Sequence, residues 1–258
     1  MCTVSLIAPD RTLVDGGRSP LARIVFNRDE RLEREIALPP AIVRGLEGQS
    51  VMPADPSRHG TWIAANDAGL VFALLNGEPP GVARVGPKPA SVSSRGLIIP
   101  RLADATSFDE VRRRVGQLPW RQYPVFRLLV FGPDRFLDVR PRIDALAIVE
   151  RPPRNRFMAT YSSVRPREAA RLRTRLFEGI VARPDAELQD IFHDQRWRDC
   201  PELSVNMRRP ESRTVSRTVV ERFADRVEMR YHALDLAGES IGPATVILKM
   251  PLASAGAA

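Results

Sequence analysis

Apolar, β-branched runs occupy both ends of this 258-residue chain and its helix-forming segments gather in the middle. That order constrains it to a layered α+β architecture with largely antiparallel sheets and argues against alternating βαβ units. TVSLIA (residues 3–8) and ARIVFN (22–27) enclose the turn-dense stretch PDRTLVDGGRSP, which predicts two paired strands with Cys2 at the tip of the first. GTWIAAN and GLVFALLN, joined through Asp67 and Ala68, predict a hairpin that ends in a Gly/Pro-rich loop around GEPPG. VFRLLVFG, RFLDVR, ALAIVE and RFMATYSS read as strands separated by Gly-Pro, Pro-Arg and Pro-Pro breaks. RTVSRTVVERF and DRVEMRYHAL form a second hairpin about Ala224-Asp225, and ATVILKM supplies a last strand.

Between these runs, Ser107 and Glu110 in SFDEVRRRVGQL have the S-x-x-E spacing of a capping box and predict a helix ending near Gly116. Leu172, Leu176, Phe177 and Ile180 recur at helical spacing in REAARLRTRLFEGIVA and read as a core-facing stripe. AELQDIFHDQRW is a further helix begun by Pro184-Asp185. No internal repeat or low-complexity linker interrupts the chain, so residues 1–258 read as one domain large enough to bury a substantial core.

Composition narrows the function classes. The formal net charge is +8, but of 39 basic residues only Lys88 and Lys249 are lysines, and arginines alternate with carboxylates throughout. No nucleic-acid motif accompanies the charge, so no nucleic-acid partner is expected. Two cysteines build no disulfide framework and have no neighbours at metal-ligand spacing, so neither metal nor cofactor is expected. A reducing, cytoplasmic setting fits, as neither a secretory signal nor an integral membrane segment is visible. His59, His193 and His232 lie far apart and read as surface or core, Trp62 as a core or pocket-wall aromatic, and Cys200 as an ordinary buried thiol. Nothing in the sequence indicates an oligomeric state.

Chemistry concentrates at Cys2. With Met1 removed, this residue would carry a thiol and an α-amine whose ordinary pKa values, about 8.5 and about 7.7–8.0, let one deprotonate the other near neutrality. Rooted at the end of a buried strand, such a pair would be held still enough for catalysis. An attacked carbonyl would need oxyanion donors, for which Asn76 is a candidate, although an asparagine before Gly77 equally suits a turn cap. Asn27, Arg28, Asp29 and Glu30 at the end of the second strand offer groups to orient the amine, or a structural ion pair.

MCTV, then FNRDE, then HGTWIAANDAGLVFALLN together resemble the NRDE family, also called the transport and Golgi organisation family, over about the first third of the chain. RFMATYSS, RTRLFEG and RRPESRTVSRTVVE resemble later segments of that family more loosely. The resemblance implies an N-terminal nucleophile hydrolase fold, a four-layer αββα sandwich, with a distant similarity to choloylglycine hydrolases and penicillin V acylases. It implies that Cys2 is the nucleophile, that Asn76 is an oxyanion-hole asparagine, and that Arg28 and Asp29 (or Glu30) are the arginine and carboxylate beside the cysteine. Arg217 in TVSRT resembles a late-strand arginine completing the cluster. The acylases have a second asparagine where this chain has Thr160, Tyr161, Ser162 and Ser163.

The implied activity is hydrolysis of a linear amide bond in an amphiphilic N-acyl substrate. The alternative implied by the family is a non-catalytic protein that binds or moves haem or an acyl lipid such as acyl-CoA.

Overall fold

The computed structural model describes residues 2–8, 19–77, 93–152 and 154–250. Among them, thirteen strands form two sheets, antiparallel at every pairing. The first sheet contains β1 (Cys2–Ile7), β2 (Ala22–Arg31), β10 (Arg156–Tyr161), β11 (Ser212–Arg222), β12 (Arg226–Leu234) and β13 (Ser240–Lys249) in the order β10-β1-β2-β11-β12-β13. The second contains β3 (Leu38–Arg44), β4 (Gln49–Ala54), β5 (Ile63–Asn66), β6 (Val71–Asn76), β7 (Phe126–Phe131), β8 (Phe136–Pro141) and β9 (Leu146–Arg151) in sequence order.

Strand periodicity sorts the side chains into layers. Cys2, Val4, Leu6, Ile24 and Phe26 point from the first sheet onto Val51, Ile63, Ala65, Val71, Ala73, Leu75 and Leu129 of the second. The outer face of the second sheet, through Phe72, Leu128 and Val130, packs on α1 (Phe108–Gly116) by Phe108, Val111 and Val115. The outer face of the first sheet meets α2 (Pro166–Ile180) and α3 (Ala186–Asp194) at Ile7, Phe177 and Phe192. The chain is thus α+β with antiparallel sheets, as the order of its segments led us to expect, and the four-layer αββα sandwich is the one the family resemblance implied.

Departures from the sequence reading are local. β3 and β4 escaped it: β3 is an edge strand carrying Pro39 and Pro40, tolerated where backbone amides need no ladder partner, and most of its residues are exposed. The capping box forms by half. Ser107 Oγ accepts from the Glu110 amide, but Glu110 Oε2 accepts from the Thr106 amide instead of the Ser107 amide. On α2 the buried stripe is Ala169, Arg173 and Phe177, whereas Leu172, Leu176 and Ile180 are only half-buried. An arginine therefore occupies the middle of an i, i+4, i+8 core row. Cys200 is half-buried, not buried. The stretches PDRTLVDGGRSP and GEPPG fall largely outside the described residues.

The α3 to β1 seam is polar and fully buried. Arg23 donates to Gln189 Oε1 (2.8 Å), Gln189 Nε2 to Ser5 Oγ (2.8 Å), and Ser5 Oγ lies 2.7 Å from His193 Nε2. His193 Nδ1 lies 3.0 Å from Asn27 Oδ1, and Asn27 Nδ2 donates to the His193 carbonyl (2.8 Å). A neutral imidazole protonated on Nδ1 completes this chain, with the serine hydroxyl donating to Nε2. Burial, with Arg217 and Arg23 nearby, holds the His193 pKa well below 6.5. The unfolded chain then takes up a proton that the folded one refuses as pH falls below about 6.5, so His193 stabilises the fold above that pH and its contribution is lost below it. Urea unfolding at pH 7.5 and 5.5 should show a decline of up to about 1.4 kcal/mol per pH unit that is missing from His193→Gln. An equal decline in both proteins would remove His193 as its source.

Candidate active site

At one end of the sandwich the sheets part around a cavity of about 510 Å³ lined by Cys2, Arg28, Asp29, Glu30, Asp55, Trp62, Asn76 and Arg95 among others. β1 delivers Cys2 to its floor. Cys2 pairs with Arg28 on one side and Tyr161 on the other, and its carbonyl lies 3.2 Å from Thr160 Oγ1. The first strand is therefore flanked on both edges up to its first described residue, and Cys2 is buried.

The N-R-D-E tetrapeptide divides its side chains between two faces because strand side chains alternate. Arg28 and Glu30 face the inter-sheet cavity, where Arg28 Nη2 lies 3.3 Å from Glu30 Oε2 and 3.4 Å from Asp55 Oδ2. The guanidinium also covers the Trp62 ring, 4.1 Å from its centroid, so Trp62 is both a member of the inter-sheet core and a wall of the pocket. Asn27 is committed to His193 on the helix side. Asp29, also turned toward that side but at the strand end, is buried and reaches the cavity floor beside Cys2.

A bulge sets what Asp29 meets. The β2–β11 register shifts between Thr214 and Ser216, so Thr214, not Val215, lies opposite Asp29. Its hydroxyl donates to Asp29 Oδ1 at 2.6 Å, while Oδ2 is buried with no hydrogen-bond partner among the described residues. Burial raises the Asp29 pKa above the usual carboxylate value, opposed by the charges of Arg173 and Arg209 and by Thr214. The Cys2 thiol is likewise pushed up by burial, against the pull of the Asp29 amide and the Arg28 guanidinium. Burial favours a protonated Glu30 too, but the Arg31 amide with Arg34 and Arg28 outweighs it and holds the carboxyl below its ordinary value.

Of the residues singled out in the sequence, Cys2, Arg28, Asp29, Glu30 and Asn76 share this cavity, Asn76 from the end of β6. Gly77 follows it because a Cβ there would lie 2.7 Å from the Phe126 backbone. Arg217 is not brought to the cavity. It pairs with Asn27 and so faces the helix layer, where its guanidinium binds the Asp194 carboxylate. Ser162 and Ser163 do not line the cavity either; both hydroxyls receive Arg209. Asp55, Arg34, Arg95 and Arg173 were missed. Asp55 and Arg34 sit among ordinary surface-like charges in sequence, and the signal for Arg173 was its place in the apolar period of α2.

Two antiparallel sheets packed face to face, covered by helices and opening at the end of a strand that carries a cysteine, make an αββα sandwich of the N-terminal nucleophile hydrolase-like kind. The sequence model of the Transport and Golgi organisation 2 family matches residues 20–151, just over half the chain, and the chain belongs to that family. Its structure is similar to that of the Caenorhabditis elegans ortholog of N-acylethanolamine-hydrolyzing acid amidase, with a TM-score of 0.51 and 12% identity over 84% of this chain and 91% of that one. A mutant of conjugated bile acid hydrolase from Clostridium perfringens aligns with a TM-score of 0.48 and 10% identity over 98% of each chain. At 12% identity the likeness to the amidase ortholog is one of fold. No curated protein sequence matches this chain.

Proposed function

We propose that this protein is an N-terminal cysteine hydrolase that cleaves the linear amide of an N-acyl substrate once Met1 has been removed. The observation that carries the reading is the convergence of Cys2, Arg28, Asp29 and Asn76 on one cavity at the end of β1. In this reading the Cys2 α-amine takes the thiol proton and the sulfur attacks the amide carbonyl carbon, forming a C–S bond as the C=O electrons move to oxygen. The Asn76 amide donates to that oxygen, and its side chain has no other partner among the described residues. Collapse breaks the C–N bond, and the departing amine leaves with the proton from the α-ammonium. Water then adds to the thioester, gives its proton to the α-amine, and displaces the thiolate to release the acid. In this reading Asp29 Oδ2, buried beside Cys2, accepts from the α-ammonium formed in between.

The test begins with intact mass, which should show the chain lacking one methionine, and continues with a panel of N-acyl amides of varied chain and headgroup, at least one of which should be turned over. A folded preparation that retains Met1 and hydrolyses nothing would defeat the proposal.

One observation favours the alternative of a binding protein for haem or an acyl lipid. The serines that stand where the acylases carry a second asparagine, Ser162 and Ser163, accept from Arg209 and are not among the residues lining the cavity. That version requires saturable haem or acyl-CoA binding, read as a Soret shift or by calorimetry, with no turnover.

A further inference from the structure

Charge in the Cys2 cavity does not balance. Glu30 is saturated: Oε1 accepts from the Arg31 amide (3.0 Å) and Oε2 receives Arg34 (2.7 Å) and Arg28 (3.3 Å). Asp55 is saturated too. Its Oδ1 accepts from the Ser57 (3.1 Å) and Arg58 (3.0 Å) amides, and its Oδ2 faces Arg28 (3.4 Å) and Arg34 (3.5 Å). Two carboxylates thus neutralise two guanidiniums. Asp29 is opposed by Arg173 and Arg209 from behind.

Arg58 and Arg95 remain. Both line the cavity, and among the described residues neither forms an ion pair. Their segments are bound together: Thr61 donates to the Gly96 carbonyl (3.0 Å), and a Cβ on Gly60 would lie 2.7 Å from the Gly96 backbone. Arg95 is half-buried, and among the described residues its side chain makes one hydrogen bond, from Nη1 to the Val125 carbonyl (3.0 Å). Arg95 is partly withdrawn from water with no carboxylate in contact among the described residues; Glu30, already engaged by Arg34 and Arg28, offsets that cost only from a distance, and an arriving anion would lower it further.

We infer that the Cys2 cavity receives a ligand whose polar end is anionic, a carboxylate or a phosphate, bound between Arg58 and Arg95. This rests on the reading of the cavity as the substrate site and is independent of whether bound ligand is turned over. Arg58, exposed at the rim, meets the anion first, and Arg95 fixes it in the wall. A neutral headgroup offers these arginines only uncharged acceptors, which bind them more weakly.

The test is calorimetric titration of the full chain with N-lauroylglycine, lauryl phosphate and the neutral N-lauroylethanolamine. At least one anionic ligand should bind about tenfold more tightly than the neutral one or better, a difference of about 1.4 kcal/mol, because a charge-assisted hydrogen bond is stronger than a neutral one. The tighter of the two anions identifies the group. Arg95→Gln should abolish the preference while changing affinity for the neutral ligand less than about threefold, and the exposed Arg58→Gln, which leaves the fold intact, should reduce it. Equal affinity for all three ligands, no binding of any, or an undiminished preference in both variants would overturn the inference. A preserved preference without hydrolysis of any N-acyl amide would instead remove the hydrolase and leave the anion site standing.

Discussion

Cys2→Ala is expected to fold and to lose N-acyl amide turnover by about a thousandfold or more. In the proposed mechanism the sulfur forms the bond that divides one difficult hydrolysis into two easier steps, and alanine offers no substitute electron pair. The fold should tolerate the change: Cys2 contributes one small side chain to a core that includes Val4, Leu6, Ile63, Ala73 and Leu75, and truncation to alanine removes a single heavy atom, worth about 1 kcal/mol. The strand itself is held by backbone pairing to β2 and β10 and by the Thr160 hydroxyl, none of which needs the sulfur. Turnover per mole of correctly folded protein, with folding checked by urea unfolding, decides the matter. A variant retaining more than about a tenth of the activity would show that the reaction does not pass through the thiol, and Cys2→Ser should fall between the two because a hydroxyl is the weaker nucleophile.

How much of this was legible from residue order varies by element for physical reasons. β1, β2, β5, β6, β7 and β8 announced themselves because buried strands need apolar, β-branched runs. β3 did not, because an exposed edge permits Pro39, Pro40 and a mixed surface. At the cavity, Cys2, Arg28, Asp29 and Asn76 were reached through strand ends and a family resemblance. The division of labour between Asp29 and Glu30 was not, since it depends on which face each takes and on a bulge two strands away that puts Thr214 opposite Asp29. Arg217 misled for the same reason. A late-strand arginine can point to either face, and pairing with Asn27 turns this one toward α3. Asp55 lies 26 positions from Asp29 in sequence and joins the cluster only because the second sheet stacks on the first.

Arg173 is where a local rule is broken most plainly, and its removal should have the largest effect on stability. The guanidinium is fully buried in a row of α2 that otherwise carries Ala169 and Phe177. It donates to Leu203 O (3.0 Å) and Ser204 O (2.6 Å) and to the hydroxyls of Thr3 (3.0 Å) and Thr160 (2.7 Å), thereby joining α2 to β1, β10 and the short helical turn Pro201–Leu203 with its cap Ser204. Among the described residues no carboxylate touches it; Asp29 supplies the opposing charge, and burial lowers the Arg173 pKa. Arg173→Met keeps the volume but strands two buried carbonyls and leaves Asp29 without its principal opposing cation, so a loss of about 3–5 kcal/mol is expected in urea unfolding at pH 7.5. The loss should shrink at pH 4.5. Asp29 already has a folded pKa above its unfolded value, and removing Arg173 raises it further, so the folded variant holds a proton that the unfolded chain has released. A raised carboxyl pKa stabilises at low pH and ceases to do so as pH climbs through the folded value, which places the greater penalty at 7.5. A loss below about 1 kcal/mol, or one identical at the two pH values, would mean that Arg173 and Asp29 are not coupled and that the buried arginine serves only to fill its row.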